Sequence, residues 1–188
     1  MKRVILASKS PRRLEILNKH GIEPLLMPTD TEEFLPDGIG MEAAVEMLAE
    51  QKARACYDAM DPSEYPDSLI IGADTIVYKD EILGKPCDTA DAFRMISKYR
   101  NTFHYVVTGV CLIDTNTGEA TILSDVTKVY CTNYTDEQIY EYIEEDQPFD
   151  KAGAYAIQGA FGKYIDHIEG DYENVVGLPF QRIEKLVR

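Results

Sequence analysis

The chain has 188 residues, of which 45% are hydrophobic, enough to bury a full core in a single domain. Its formal net charge of −14 argues against a general nucleic-acid or anionic-membrane surface, because a negative field repels polyphosphate backbones. Any anionic ligand therefore needs a local basic cluster. No stretch reaches the ~18 uninterrupted apolar residues of a spanning helix, and the start MKRVILASKSPRR has no signal-peptide cleavage pattern. A cytoplasmic protein with neither a membrane nor a nucleic-acid polymer as partner is expected.

In chain order, a strand over Val4 to Ala7 precedes a helix from Pro11 to about His20 and an apolar run from Ile22 to Met27. A long helix around Met41 to Ala59 leads into SLIIGADTIVY, whose near-continuous apolar residues mark a strand buried on both faces. A helix over Asp88 to Tyr99 follows. The runs HYVVTGVCLID and EATILSDVTKVYCTNY, separated by TNTG, form a long hairpin, and TDEQIYEYIEE is a helix with Thr135 and Gln138 in capping-box positions. From Lys151 to Gly177 the chain is rich in glycine and tyrosine, which predicts a binding loop with short strands before a closing helix near Leu178 and Pro179. The four cysteines are scattered without zinc or disulfide spacing and read as reduced thiols; the three histidines form no metal-binding pair.

Four segments carry chemistry. In LASKSPRR, Ser10 suits a helix N-cap and Pro11 the first helical position, which puts Arg12 and Arg13 in the first turn. The helix dipole disfavours cations there by several tenths of a kcal/mol each, unless an anion binds at that end; two solvated arginines are the competing reading. Lys52 falls on the apolar stripe of Val45, Leu48, Ala49 and Cys56, so it points inward to a partner or snorkels to water. Asp74 follows the apolar run of IIGADT, where Gly72 permits close backbone approach, and serves either a metal or water or the strand's own hydrogen bonds. The loop TDTEEF adds Asp30, Glu32 and Glu33 as oxygen ligands for a hard cation, if it is more than a solvated acidic run. Finally, the turn ILGKP presents Lys85 to a phosphate without forming a Walker A loop.

In this order the segments resemble the Maf family, septum-formation-inhibitor-like nucleotide pyrophosphatases related in fold to inosine triphosphate pyrophosphatases. The likeness continues through HYVVTGV, DKAGAYAIQGAFGKYI and IEGDYENVVGLP and spans nearly the whole chain. It implies one Maf-like domain over residues 1–188, of α/β class, with a mixed twisted sheet flanked by helices and a central cleft between two lobes. It also implies hydrolysis of nucleoside triphosphates, dTTP and UTP preferred, to the monophosphate and pyrophosphate.

Carried over by position, the resemblance makes Ser8, Arg12, Arg13, Lys52 and Lys85 binders of the triphosphate. Glu32 and Asp74 become ligands of a divalent cation, Mg2+ or Mn2+, with Asp74 the catalytic proton acceptor. Arg12, Thr75 and Gln158 match the positions that set the dTTP/UTP branch apart from the branch acting on 7-methylguanosine triphosphate. The glycine-rich turn after Gln158 departs from the family pattern, because Phe161 stands within it. A homodimer is implied as well. Two alternatives accompany this reading: the 7-methylguanosine triphosphate activity, and a nucleotide-binding regulator of septum formation.

The chemistry has a physical basis. A nucleoside triphosphate brings about four negative charges, and bond breaking at the α-phosphorus shifts charge onto pyrophosphate, so several cations must converge on it. Each opposite pair at ~4 Å contributes roughly 4 kcal/mol at an effective dielectric near 20, before desolvation. The amide of Gln158 can both donate and accept, which suits the O4 and N3–H edge common to uracil and thymine.

Overall fold

The computed structural model describes residues 2–30 and 32–188. The described strands are β1 (Arg3–Leu6), β2 (Leu25–Leu26), β3 (Ser68–Tyr78), β4 (Ile82–Leu83), β5 (Phe103–Asp114), β6 (Ala120–Cys131) and β7 (Ile165–Glu169). The helices are α1 (Pro11–Lys19), α2 (Met41–Ala59), α3 (Thr89–Ser97), α4 (Asp136–Asp146), α5 (Tyr172–Val176) and α6 (Phe180–Val187). The strands form a mixed seven-stranded sheet in the order β2-β1-β3-β5-β6-β7, with β4 on β3. β1 runs parallel to β2 and β3, whereas β4 is antiparallel to β3 and β7 to β6. The α/β class expected from the alternating pattern is what the chain adopts, and no described helix is long and apolar enough to cross a membrane.

The chain divides into two compact units, the first comprising Met1–Asp74, Thr108–Asp125 and Gly177–Arg188, the second Thr75–Val107 and Val126–Val176. In the first unit, Ile5, Ala7, Ile70, Cys111 and Ile113 pack with Ala49, Ala53 and Cys56 of α2. Two glycines set how closely α2 lies against its strands. A Cβ on Gly72 would fall 2.5 Å from the Ala49 carbonyl oxygen, and one on Gly109 would clash with the Val45 carbonyl. The expected close approach at Gly72 is thus an approach of helix backbone to strand backbone. β2 is shorter than the apolar run suggests, since Pro24 and Pro28 flank it and cannot donate to a ladder.

The second unit has an aromatic core. Tyr99, Tyr134, Tyr142, Tyr155, Phe161 and Tyr164 pack with Val77, Met95, Ile96, Val106 and Val129. Thr135 and Gln138 close the expected capping box on α4. The segment 151–177 resolves into two short helical turns, β7 and α5, and Phe161 within it is 1% exposed among the rings of Tyr134, Tyr142, Tyr155 and Tyr164. Phe161 therefore anchors the segment in the core.

Candidate active site

Ser10 caps α1 by accepting from the Arg13 N–H at 3.5 Å, and Pro11 occupies the first helical position, so Arg12 and Arg13 stand in a first turn that contains no acidic residue. The Arg13 guanidinium turns back along the chain. Its Nη1 donates to Ser8 Oγ at 3.1 Å and its Nε to the Gly177 carbonyl at 2.8 Å. Gly177 has a φ of 131°, a conformation that side chains rarely adopt. Burial pushes the Arg13 guanidinium below its ordinary pKa; the negative charge of Asp74 opposes this, the neighbouring Arg12 deepens it, and Glu33 opposes it again. Those couplings place Arg12, Arg13, Glu33 and Asp74 in one electrostatic cluster.

Lys52 completes the cluster. Its neighbours on the stripe, Val45, Leu48, Ala49 and Cys56, are buried, and its own side chain is 20% exposed. The ammonium meets the Asp74 carboxylate, itself 14% exposed, and lies 3.0 Å from Glu33 Oε1. Asp74 is the seventh of eleven residues in β3, two after Gly72, and so projects from the face of the strand on which α2 rests. Because the glycine draws α2 close, a lysine one turn beyond Ala49 reaches that carboxylate directly. The inward-pointing lysine of the sequence thus has its partner, and the aspartate lies inside the strand expected over SLIIGADTIVY.

The structure therefore brings together Ser8, Arg13, Lys52 and Asp74, with Arg12 beside Arg13. Of the acidic pair, Glu33 reaches Lys52, while Glu32 is exposed and Asp30 pairs with Lys9. Among the described residues no three His, Cys, Asp or Glu side chains form a ready-made metal site. The role of the Gly177 carbonyl as an acceptor for Arg13 left no mark in the sequence beyond a glycine before Leu-Pro.

In the second unit Thr75 is half-buried in β3, whereas Lys85 and Gln158 are exposed. Lys85 follows Gly84, whose carbonyl accepts the Gly153 N–H at 3.0 Å. Gln158 sits in a tight turn in which the Gly159 N–H donates to the Ala156 carbonyl at 3.0 Å. Elsewhere in this unit, burial holds His104 neutral by lowering its pKa from 6.5 to about 3, an effect that the nearby Lys79 adds to.

Comparison with known proteins bears on the whole chain. A family model described as Maf-like protein matches residues 3–188. A protein of Alkaliphilus oremlandii named dTTP/UTP pyrophosphatase is 42% identical, over all of this chain and 96% of its own length. Proteins of the same name from Geobacillus sp. (strain WCH70) and Koribacter versatilis are 41% and 42% identical, over 100% and 98% of this chain and 98% and 93% of theirs. With the family pattern matched from the first strand to the last helix, the chain belongs to the Maf-like protein family.

Proposed function

We propose that the protein is a cytoplasmic nucleoside triphosphate pyrophosphatase that converts dTTP and UTP to the monophosphate and pyrophosphate by water attack at the α-phosphorus. The observation that carries this reading is the Lys52 ammonium, directed from an apolar helix face onto Asp74 and Glu33 beside the Arg13 guanidinium. Ion pairing alone does not call for that arrangement, because desolvating a lysine and a carboxylate together is near neutral in energy at best. A site that must hold a polyanion next to a proton-accepting carboxylate does call for it.

In this reading Arg12, Arg13 and Lys52 bind phosphate oxygens. A lysine ammonium has three donors, so Lys52 can serve a phosphate oxygen while it orients Asp74. Asp74 takes the proton from the attacking water, and its pairing with Lys52 holds one carboxylate oxygen in place and leaves the other for that water. Ser8 holds the Nη1 of Arg13, which fixes the plane of the guanidinium. Lys85 makes a further phosphate contact, Thr75 a substrate contact, and Gln158 reads the pyrimidine edge.

The donor set suits a hard divalent cation. Asp74 and Glu33 converge on a single positive centre through carboxylate oxygens, and Mg2+ is commonly held by one or two carboxylates together with substrate phosphates and water. Asp74, with Glu33 or its neighbour Glu32, would hold Mg2+ or Mn2+. When bound, the ion would neutralise phosphate charge and acidify a coordinated water.

The test is a product panel. Purified protein with Mg2+ or Mn2+ is incubated separately with dTTP, UTP, CTP and 7-methylguanosine triphosphate. Monophosphate and pyrophosphate from dTTP and UTP, lost on addition of a chelator, is the expected outcome. Orthophosphate as the product, or turnover of 7-methylguanosine triphosphate in preference to UTP, contradicts it. A homodimer is part of the same reading, and light scattering of the purified protein checks it.

A further inference from the structure

The loop carrying Gln158 is held by buried hydroxyl groups. Gly153 and Ala154 both adopt left-handed backbone, at φ of 68° and 65°, a strained conformation for the alanine. Gly153 has no room for a side chain, since a Cβ there would lie 2.6 Å from Val77 Cγ2 and 2.8 Å from the Tyr99 hydroxyl. Two consecutive carbonyls of this strained pair accept bonds from tyrosines on different helices or their flanks. Tyr99 Oη donates to the Gly153 carbonyl at 2.9 Å, and Tyr142 Oη to the Ala154 carbonyl at 3.0 Å. The next residue, Tyr155, pairs its hydroxyl with His104 Nε2 at 2.6 Å in the same buried cluster.

Phenylalanines would fill the same volume, so the hydroxyls serve the loop rather than the packing. The fixed backbone leads in two directions. Towards Lys85, the Gly153 N–H holds the Gly84 carbonyl. Towards Gln158, the chain runs three residues from Tyr155 and is anchored again beyond it by buried Phe161. We propose that Tyr99 and Tyr142 are positioning residues that hold the strained Gly153–Ala154 backbone so as to aim Lys85 and Gln158, setting nucleotide affinity and base preference without touching substrate.

The inference rests on the function proposed above and deepens it. Tyr99→Phe and Tyr142→Phe keep the ring and remove only the donor. In folded variants the KM for UTP is expected to rise about fivefold to tenfold, and the preference for UTP over CTP to fall by a similar factor, with kcat within about twofold of wild type. Hydrogen exchange at the 153–155 amides is expected to quicken about tenfold while exchange in α2 stays unchanged. Should Tyr142→Phe fail to fold, Tyr99→Phe carries the same test. Unchanged KM and base preference in a folded variant overturn the proposal, as does a loss of kcat and affinity that merely follows melting temperature with exchange quickened throughout. A wild-type protein that leaves UTP intact instead sinks the proposed function, and the exchange at 153–155 relative to α2 then decides whether the clamp exists.

Discussion

The two units hold their candidate site residues in opposite ways. In the first, the side chains are bound to one another: Lys52 to Asp74 and Glu33, and Arg13 to Ser8 and the Gly177 carbonyl. In the second, Lys85 and Gln158 project freely enough to be exposed, and only the backbone near them is fixed. On the function proposed, the difference teaches that a charged site handling reacting phosphate is preorganised by its own ion pairs, those of Lys52 with Asp74 and Glu33. A recognition group, by contrast, is steadied from below and keeps its polar edge for the ligand.

The comparison breaks first at Asp74. Asp74→Asn preserves size and the bond to Lys52 but removes the proposed proton acceptor, so kcat should fall roughly 10²- to 10⁴-fold with the fold retained. Steady-state kinetics with a circular dichroism control measures this, and a loss below tenfold would mean that the carboxylate only balances Lys52. Lys52→Met comes next: removing a cation worth about 2–3 kcal/mol at the transition state should lower kcat/KM some 30- to 100-fold. If the lysine were only structural, the melting temperature would drop and the kinetics of the folded fraction would not.

Gln158→Ala tests the other side of the comparison. Being exposed, Gln158 should leave stability within about 0.5 kcal/mol, yet its loss should lower the preference for UTP over CTP by about tenfold. Gly72→Ala sharpens the account of how Lys52 reaches Asp74. A Cβ set 2.5 Å from the Ala49 carbonyl oxygen must push α2 outward. That should cost about 1–3 kcal/mol, or roughly 3–10 °C in melting temperature, with kcat reduced further because the ion pair is stretched.

Away from the candidate site residues, the second unit should show a pH dependence of stability. His104 has a folded pKa lowered to about 3 from 6.5, chiefly by burial, so between those values the unfolded chain binds the proton and the folded one does not. Stability is therefore complete above the unfolded pKa and falls as pH drops below it, by up to about 1.4 kcal/mol per pH unit. Denaturant titrations from pH 7 to 4 should show a shallower slope for His104→Gln than for wild type, and equal slopes would place the proton sensitivity elsewhere.

Much of the first unit was legible in the sequence because periodic signals carry it. The stripe of Val45, Leu48, Ala49 and Cys56 aims Lys52 inward, the Gly72 spacing lets the helix come close, and Ser10 with Pro11 opens α1 where the residue types require. What stayed illegible was long-range. Nothing near Arg13 announces that its guanidinium bonds the Gly177 carbonyl, and the choice of Glu33 over Glu32 as the residue that meets Lys52 depends on a loop path without a period. In the second unit, the segment after Lys151 offered composition in place of pattern. The twelve tyrosines of the whole chain gave no clue as to which rings pack and which hydroxyls bond, so Phe161 read as part of a binding turn when it is core.

The central claim is attack of water on the α-phosphorus, and oxygen labelling tests it most directly. When UTP is hydrolysed in H2 18O, the account predicts one labelled oxygen in UMP and none in pyrophosphate. Label in pyrophosphate, or release of labelled orthophosphate with UDP, would contradict it.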